Sequence, residues 1–174
     1  MRSALAIIAC LAVLGLVDYS IAEKERLLET GKVVYLELAP VDPRSLMQGD
    51  YMMLRFKIAN DAMPAMGHRD LLGGSRIFGG SYLASADGRM VATLDPNAVA
   101  TYRRLDDGTP LAANEVLLRY RVREGQLKFA TNAFFFQEGT ANKYAGARYG
   151  EFRVAPDGGL LLTGLRSQDL QPLQ

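Results

Sequence analysis

Residues 4–17 form an unbroken apolar run. Asp18 interrupts it, and residues 19–22 extend it to nineteen positions before Glu23-Lys24-Glu25-Arg26. A helix of that length is about 28 Å long, close to the ~30 Å of a hydrocarbon core. Asp18 falls one turn from the outer edge, where a charge costs far less than at the centre. Three readings meet this pattern. An uncleaved signal anchor is preferred, because residues 23–28 continue with good helix formers and Leu27 and Leu28 prolong an apolar stripe. A continuous helix is a poor protease substrate. A cleavable signal peptide also fits, with Ser20-Ile21-Ala22 as a small-x-small site. A lipoprotein with Ile7-Ile8-Ala9-Cys10 as lipobox is rejected, since it leaves an apolar core of about four residues where about 7–15 are usual. The expected organisation is an anchor over residues 1–30 and one domain over residues 31–174.

Beyond the anchor the period changes to two. Val34, Leu36 and Leu38 alternate with Val33, Tyr35 and Glu37, which predicts a strand over 32–38. Pro40 and Pro43 stop it, and Asp42 is placed to cap a helical turn over 43–47. A second strand follows Gly49-Asp50, with Met52, Leu54, Phe56 and Ile58 on one face and Tyr51, Met53, Arg55 and Lys57 on the other. Residues 60–75 lack either period and carry Pro64, Gly67, Gly73 and Gly74, so they read as a long loop. The remainder reads as hairpins around Asp87-Gly88, Asp107-Gly108, Glu124-Gly125 and Asp157-Gly158.

The third turn fixes a register. Val122 faces Leu127, Tyr120 faces Phe129, Leu118 faces Thr131 and Val116 faces Ala133. The opposite, solvated face pairs Arg121 with Lys128 and Arg119 with Ala130. Phe134-Phe135-Phe136 ends that hairpin and requires cover on both faces. Residues 140–148 form a short helix with Thr140 as cap, and residues 151–154 and 160–165 form the last hairpin. The fold class is therefore mainly β: an antiparallel barrel or sandwich of successive hairpins with one or two short helices, preceded by a transmembrane helix.

Composition narrows the functions. Twenty Lys and Arg against nineteen Asp and Glu leave a net charge of +1, so no basic surface for nucleic acid is expected. The interleaving of Tyr144, Arg148 and Tyr149 does not change that. A single cysteine, Cys10, rules out an internal disulfide, and the domain must stand on its core. Arg2 stands alone before the apolar run, against Lys24, Arg26 and Lys32 after it. The positive-inside count prefers the opposite orientation. A short N-terminal tail with one Arg before an apolar run has the form of a signal sequence, so an N-in, single-pass topology with the domain in the periplasm is chosen.

Gly49-Asp50-Tyr51-Met52-Met53-Leu54-Arg55-Phe56 resembles the signature of the bacterial GDYxxLxY domain family. Gly31-Lys32, residues 40–46 and Phe136-Gln137-Glu138-Gly139 fit its flanks, and the likeness covers most of residues 31–170. The last Tyr of the signature is Phe56 here, which keeps a packing ring and loses a hydroxyl. The resemblance implies a small membrane-anchored domain, often associated with a polytopic membrane protein, and no known enzymatic activity. It singles out Asp42, Arg44, Gly49, Asp50, Tyr51, Leu54, Phe56, Glu138 and Gly139.

Residues that carry chemistry give no catalytic, cofactor or metal set. Residues 42–56 also faintly resemble the proline-to-Gly-Asp segment of signal peptidases. That chemistry needs a Ser before the proline and a buried Lys. Residues 36–41 hold no Ser, Ser45 follows Pro43, and Lys57 is expected on a solvated strand face. Asp42, Asp50, Glu138 and Glu151 are the candidates for an acid cluster, but no D-x-D-x-D-G loop accompanies them. His68 reads as a solvated loop residue. Met47, Met52, Met53, Met63 and Met66 read as core fillers rather than a copper site. Residues 42–50 are expected to clasp the anchor helix to the sheet. The expected function is a non-enzymatic interaction or accessory module for a membrane-protein partner, held to lipid by its N-terminal helix. The alternative is a carboxylate-dependent envelope hydrolase.

Overall fold

The computed structural model describes residues 2–39, 47–48, 51–72 and 86–173. Helix α1 spans Arg2–Thr30. Among the described residues no helix is long and apolar enough to cross a membrane. The expected transmembrane segment is found as a helix, which from Cys10 onward carries Asp18 and the four charges of residues 23–26 within a few turns.

One residue after α1 the chain enters β1 (Lys32–Glu37), with Val34 and Leu36 fully buried as the alternation requires. Strand β1 pairs antiparallel with β9 (Tyr149–Val154), and β9 with β10 (Leu160–Arg166), giving a sheet in the order β1-β9-β10. A second sheet, β2-β3-β8, joins Met47–Gln48, Tyr51–Met53 and Ala133–Phe135. The third, β5-β4-β6-β7, joins Ala100–Leu105, Ala86–Leu94, Glu115–Arg123 and Gln126–Lys128. Isolated bridges tie these together: Leu38 to Phe56 and Tyr35 to Val99. Backbone bonds add to them, from Ala39 N–H to Arg55 C=O (2.8 Å) and from Arg119 N–H to Gly158 C=O (2.7 Å). The result is mainly β, an antiparallel half-barrel with few helices. Its core holds Phe129, Phe152, Leu36, Met90 and Leu118, each less than 3% exposed. Burial of such side chains contributes about 1.5–3 kcal/mol apiece.

Several expectations are corrected. The second strand is short: β3 ends at Met53, and Lys57 and Ile58 already belong to helix α2 (Lys57–Leu72). The long loop read over 60–75 is mostly this helix, and His68 lies on it. Pro64 removes the N–H that would bond the Asn60 carbonyl, a cost of roughly 3 kcal/mol. Ile58, Ala59, Ala62 and Met66 offset it by burying one helical stripe against the sheets. Met47 lies in β2, opposite Met52, rather than in a helical turn. Asp87-Gly88 is no turn but the interior of β4, where Gly88 faces Tyr120 across the ladder. Asp107-Gly108 lies in the longer connection from β5 to β6, which are not neighbours.

Glu124-Gly125 forms the expected two-residue turn, with φ of 55° and 69°. Positive φ at both positions is the type I′ signature. Val122 pairs with Leu127 and Arg121 with Lys128 as read. Beyond Lys128 the strands part: Ala133 pairs with Met53 instead of Val116, and the backbone N–H of Arg119 bonds Gly158. Phe135 is 74% exposed, so cover on both faces of the triple Phe is not found. Helix α3 is Ala141–Tyr144, and the Thr140 hydroxyl donates to the Gln137 carbonyl (2.6 Å) instead of capping it.

Candidate functional site

Strand β3 sits at the centre of its sheet and presents the signature residues in two directions. Met52, Leu54 and Phe56 are buried, the alternation expected of them. The Phe56 ring meets Phe129 and Phe152 edge-on at 5.9 and 5.4 Å between centroids. Aromatic packing therefore accounts for a ring at this position without a hydroxyl. Tyr51 lies on the other face, directly opposite Phe135 in the register, with ring centroids 5.7 Å apart. Asp42, Arg44, Gly49 and Asp50, and with them the clasp, lie outside the described residues. Glu138 and Gly139 occupy an exposed turn after β8, where Gly139 has φ +78°.

The signature strand holds up one wall of a cleft. Pairing with β3 positions β8, and Phe134 and Phe135 then line a space of about 690 Å³ together with Leu160–Leu162 of β10. That volume is typical of small-ligand sites, which run to roughly 300–1,000 Å³. The facing wall comes from β6. Val116, Leu118, Tyr120 and Val122 turn into the core, so Arg119, Arg121 and Arg123 must turn out. Arg119 and Arg121 line the cleft beside Asp87 of β4, Lys128 joins them from β7, and Lys24 reaches it from α1.

These cations are not equally engaged. Arg119 bonds Asp157 at 2.7 Å and Lys128 bonds Glu124 at 3.3 Å; Arg123, on the same face, bonds Asp87 at 2.7 Å. All are exposed pairs of small net worth. Arg121, opposite Asp87 in the β4–β6 register, donates to the Ala130 carbonyl at 3.5 Å. Among the described residues neither Arg121 nor Lys24 has an ion-pair partner. The sequence reading assigned Arg119, Arg121 and Lys128 to a solvated face and missed their role as a wall. The available sign was the alternation Arg119-x-Arg121-x-Arg123 with Lys128 facing it across a fixed turn.

The carboxylates that were candidates for an acid cluster do not form one among the described residues. Glu151 is the only buried charged side chain there. Both its oxygens are used within its own sheet: Arg166 grips one through Nε and Nη2, and the Thr163 hydroxyl donates to the other at 3.0 Å. Glu138 lies apart on its exposed turn. No group of three or more His, Cys, Asp or Glu among the described residues is placed to hold a metal ion. Lys57, expected on a strand, sits in the first turn of α2, with an exposed side chain. The Glu37 carboxylate at 3.1 Å raises its pKa. The Asp107 carboxyl is lowered by hydrogen bonds from Thr109. Neither lies at the cleft. Met52 and Met66 are core fillers, as expected.

A family model described as GDYXXLXY protein matches residues 13–165 of the chain. Comparison with curated proteins and with solved structures returns no match.

Proposed function

We propose that the chain, which belongs to the GDYXXLXY family, is a tethered accessory module of a bacterial inner membrane. In this reading α1 lies in the bilayer as a single-pass anchor. The β domain stands on the periplasmic side and serves a polytopic membrane-protein partner without catalysing a reaction. One observation carries the tether. Nine of the eleven large apolar side chains exposed among the described residues lie on α1, from Ile7 (61% exposed) through Leu16 (73%) to Leu28 (43%). Each would cost about 1.5–3 kcal/mol to leave fully in water. The apolar run at residues 4–22 starts among side chains outside the described set, so the sequence supplies the rest of the span. The cleft beside α1 and the exposed Phe135 support the accessory role, since both offer binding surface next to the bilayer.

The full chain expressed in a bacterium should stay with membranes after alkaline carbonate washing. Added protease should reach the β domain in spheroplasts. Release by carbonate would overturn the tether, and protection in spheroplasts would overturn the orientation. Cross-linking in intact cells should join the domain to one polytopic protein at fixed stoichiometry; a chain that always purifies alone counts against the accessory role.

A further inference from the structure

We propose that the cleft between β6, β8 and β10 holds the phosphate headgroup of an anionic phospholipid drawn from the bilayer around α1. The inference rests on the tether proposed above. Its first ground is position. Lys24 lines the cleft and lies two residues past the apolar run that ends at Ala22. At 1.5 Å per residue that is about 3 Å beyond the hydrocarbon edge, the level of the headgroups.

The second ground is charge. Arg121 and Lys128 are directly opposed in the β6–β7 register. Like charges in that relation repel, and an anion between them turns the repulsion into attraction. The carboxylate nearest Arg121 in register, Asp87, lines the cleft but is bound to Arg123 at 2.7 Å, so neither Arg121 nor Lys24 has an ion-pair partner among the described residues, and the pair between Lys128 and the highly exposed Glu124 is easily exchanged. Arg119 bonds Asp157 and frames the site.

The third ground is that the lining is of two kinds. Lys24, Arg119, Arg121 and Lys128 outnumber the one lining carboxylate, Asp87, and Phe135, Leu160 and Leu161 supply an apolar part. A free anion has no use for the apolar wall; a glycerol backbone and the first acyl carbons do. This also gives a purpose to Lys24 among the basic residues on the outer side of the anchor. Those residues oppose the positive-inside rule, and a headgroup site needs Lys24 there.

The test uses the full chain in neutral detergent micelles. Binding of short-chain phosphatidylglycerol, short-chain phosphatidylcholine, inorganic phosphate and a polyglutamate peptide is measured by native mass spectrometry and titration. Phosphatidylglycerol should bind and phosphatidylcholine should not. Phosphate should compete only weakly. Arg121→Gln and Lys24→Gln should each weaken phosphatidylglycerol binding about tenfold, the loss of one charge-assisted hydrogen bond. Both residues are exposed, and if Arg121→Gln melts below the parent, Lys24→Gln on the helix surface decides. Equal binding of the two lipids overturns the proposal, as does binding that both variants leave within twofold of the parent. Phosphate binding as tightly as the lipid would make this a free-anion site. Peptide binding more tightly than the lipid through Arg121 would make it a protein-docking site. Either result overturns the lipid assignment. Carbonate washing reads the tether separately: a chain released by carbonate that still holds the lipid through Arg121 overturns the tether and keeps the site.

Discussion

Replacing Gly88 by Ala sets two effects of opposite sign against each other. In an open strand Ala is better than Gly by roughly 0.5–1 kcal/mol, because Gly loses more freedom on folding. At position 88 a Cβ would lie 2.5 Å from the Tyr120 hydroxyl oxygen and 2.7 Å from the ring carbon that bears it. Tyr120 is 7% exposed and packs in the main core, so its ring can yield only toward the cleft that it borders and at the expense of that packing. Overpacking of this kind costs about 1–3 kcal/mol. The sterically driven loss wins, and Gly88→Ala should destabilise the domain by about 1–2 kcal/mol net. In a chain of this size each kcal/mol moves Tm by about 2–4 °C, so Tm should fall by roughly 2–8 °C. Removing the ring with Tyr120→Val should make room, and Gly88→Ala in that background should be neutral or stabilising. The coupling between the two sites is then about 1–3 kcal/mol. Thermal and urea unfolding of the full chain in detergent, followed by circular dichroism, measures all four corners of the cycle. A Gly88→Ala single variant at least as stable as the parent would refute the reasoning.

Two further substitutions test the frame. Glu151→Gln keeps the volume but removes the charge that Arg166 neutralises. With side chains 11% and 23% exposed, the loss should be about 2–3 kcal/mol, short of the cost of breaking a fully buried pair, and nearly independent of salt; a parental urea midpoint would show that desolvation cancels the attraction. Glu124 holds φ +55° in the β6–β7 turn, so Glu124→Asn should raise stability by roughly 0.5–1 kcal/mol and Glu124→Val should lower it, read from the same midpoints.

The parts legible in the sequence are those set by neighbouring residues. Alternation located β1 and the β9–β10 hairpin, and Glu124-Gly125 fixed both a turn and the first pairs of its register. Distant contacts set the parts that were not. Strand β8 leaves its hairpin because β3, some eighty residues earlier, offers it a partner. Gly88 imitates a turn residue, yet it is there to clear the Tyr120 ring on another strand. Helix α2 was hidden by Pro64, although Ile58, Ala62 and Met66 already lay at helical spacing. The inward residues of the signature, Met52, Leu54 and Phe56, were read correctly as packing. The cleft was not legible, because its walls come from five separate stretches of chain and alternation alone cannot tell an outward face from a wall.

The joint at Gly31 governs how the two ends of the chain move together. Helix α1 ends at Thr30 and β1 begins at Lys32, so one residue separates them. The Gly31 N–H bonds the Leu27 carbonyl at 2.9 Å, and Arg153 donates to the Gly31 carbonyl at 3.2 Å. Leu27 is buried, and a Cβ at Gly31 would lie 2.4 Å from the Leu27 carbonyl oxygen. Such a connection has no slack and works as a lever rather than a leash. Any tilt imposed on the helix is transmitted as torque to the β1-β9-β10 sheet, and a load on the domain returns along the helix axis. The cleft then keeps one bearing relative to α1, so a partner that rotates the helix also re-aims the opening.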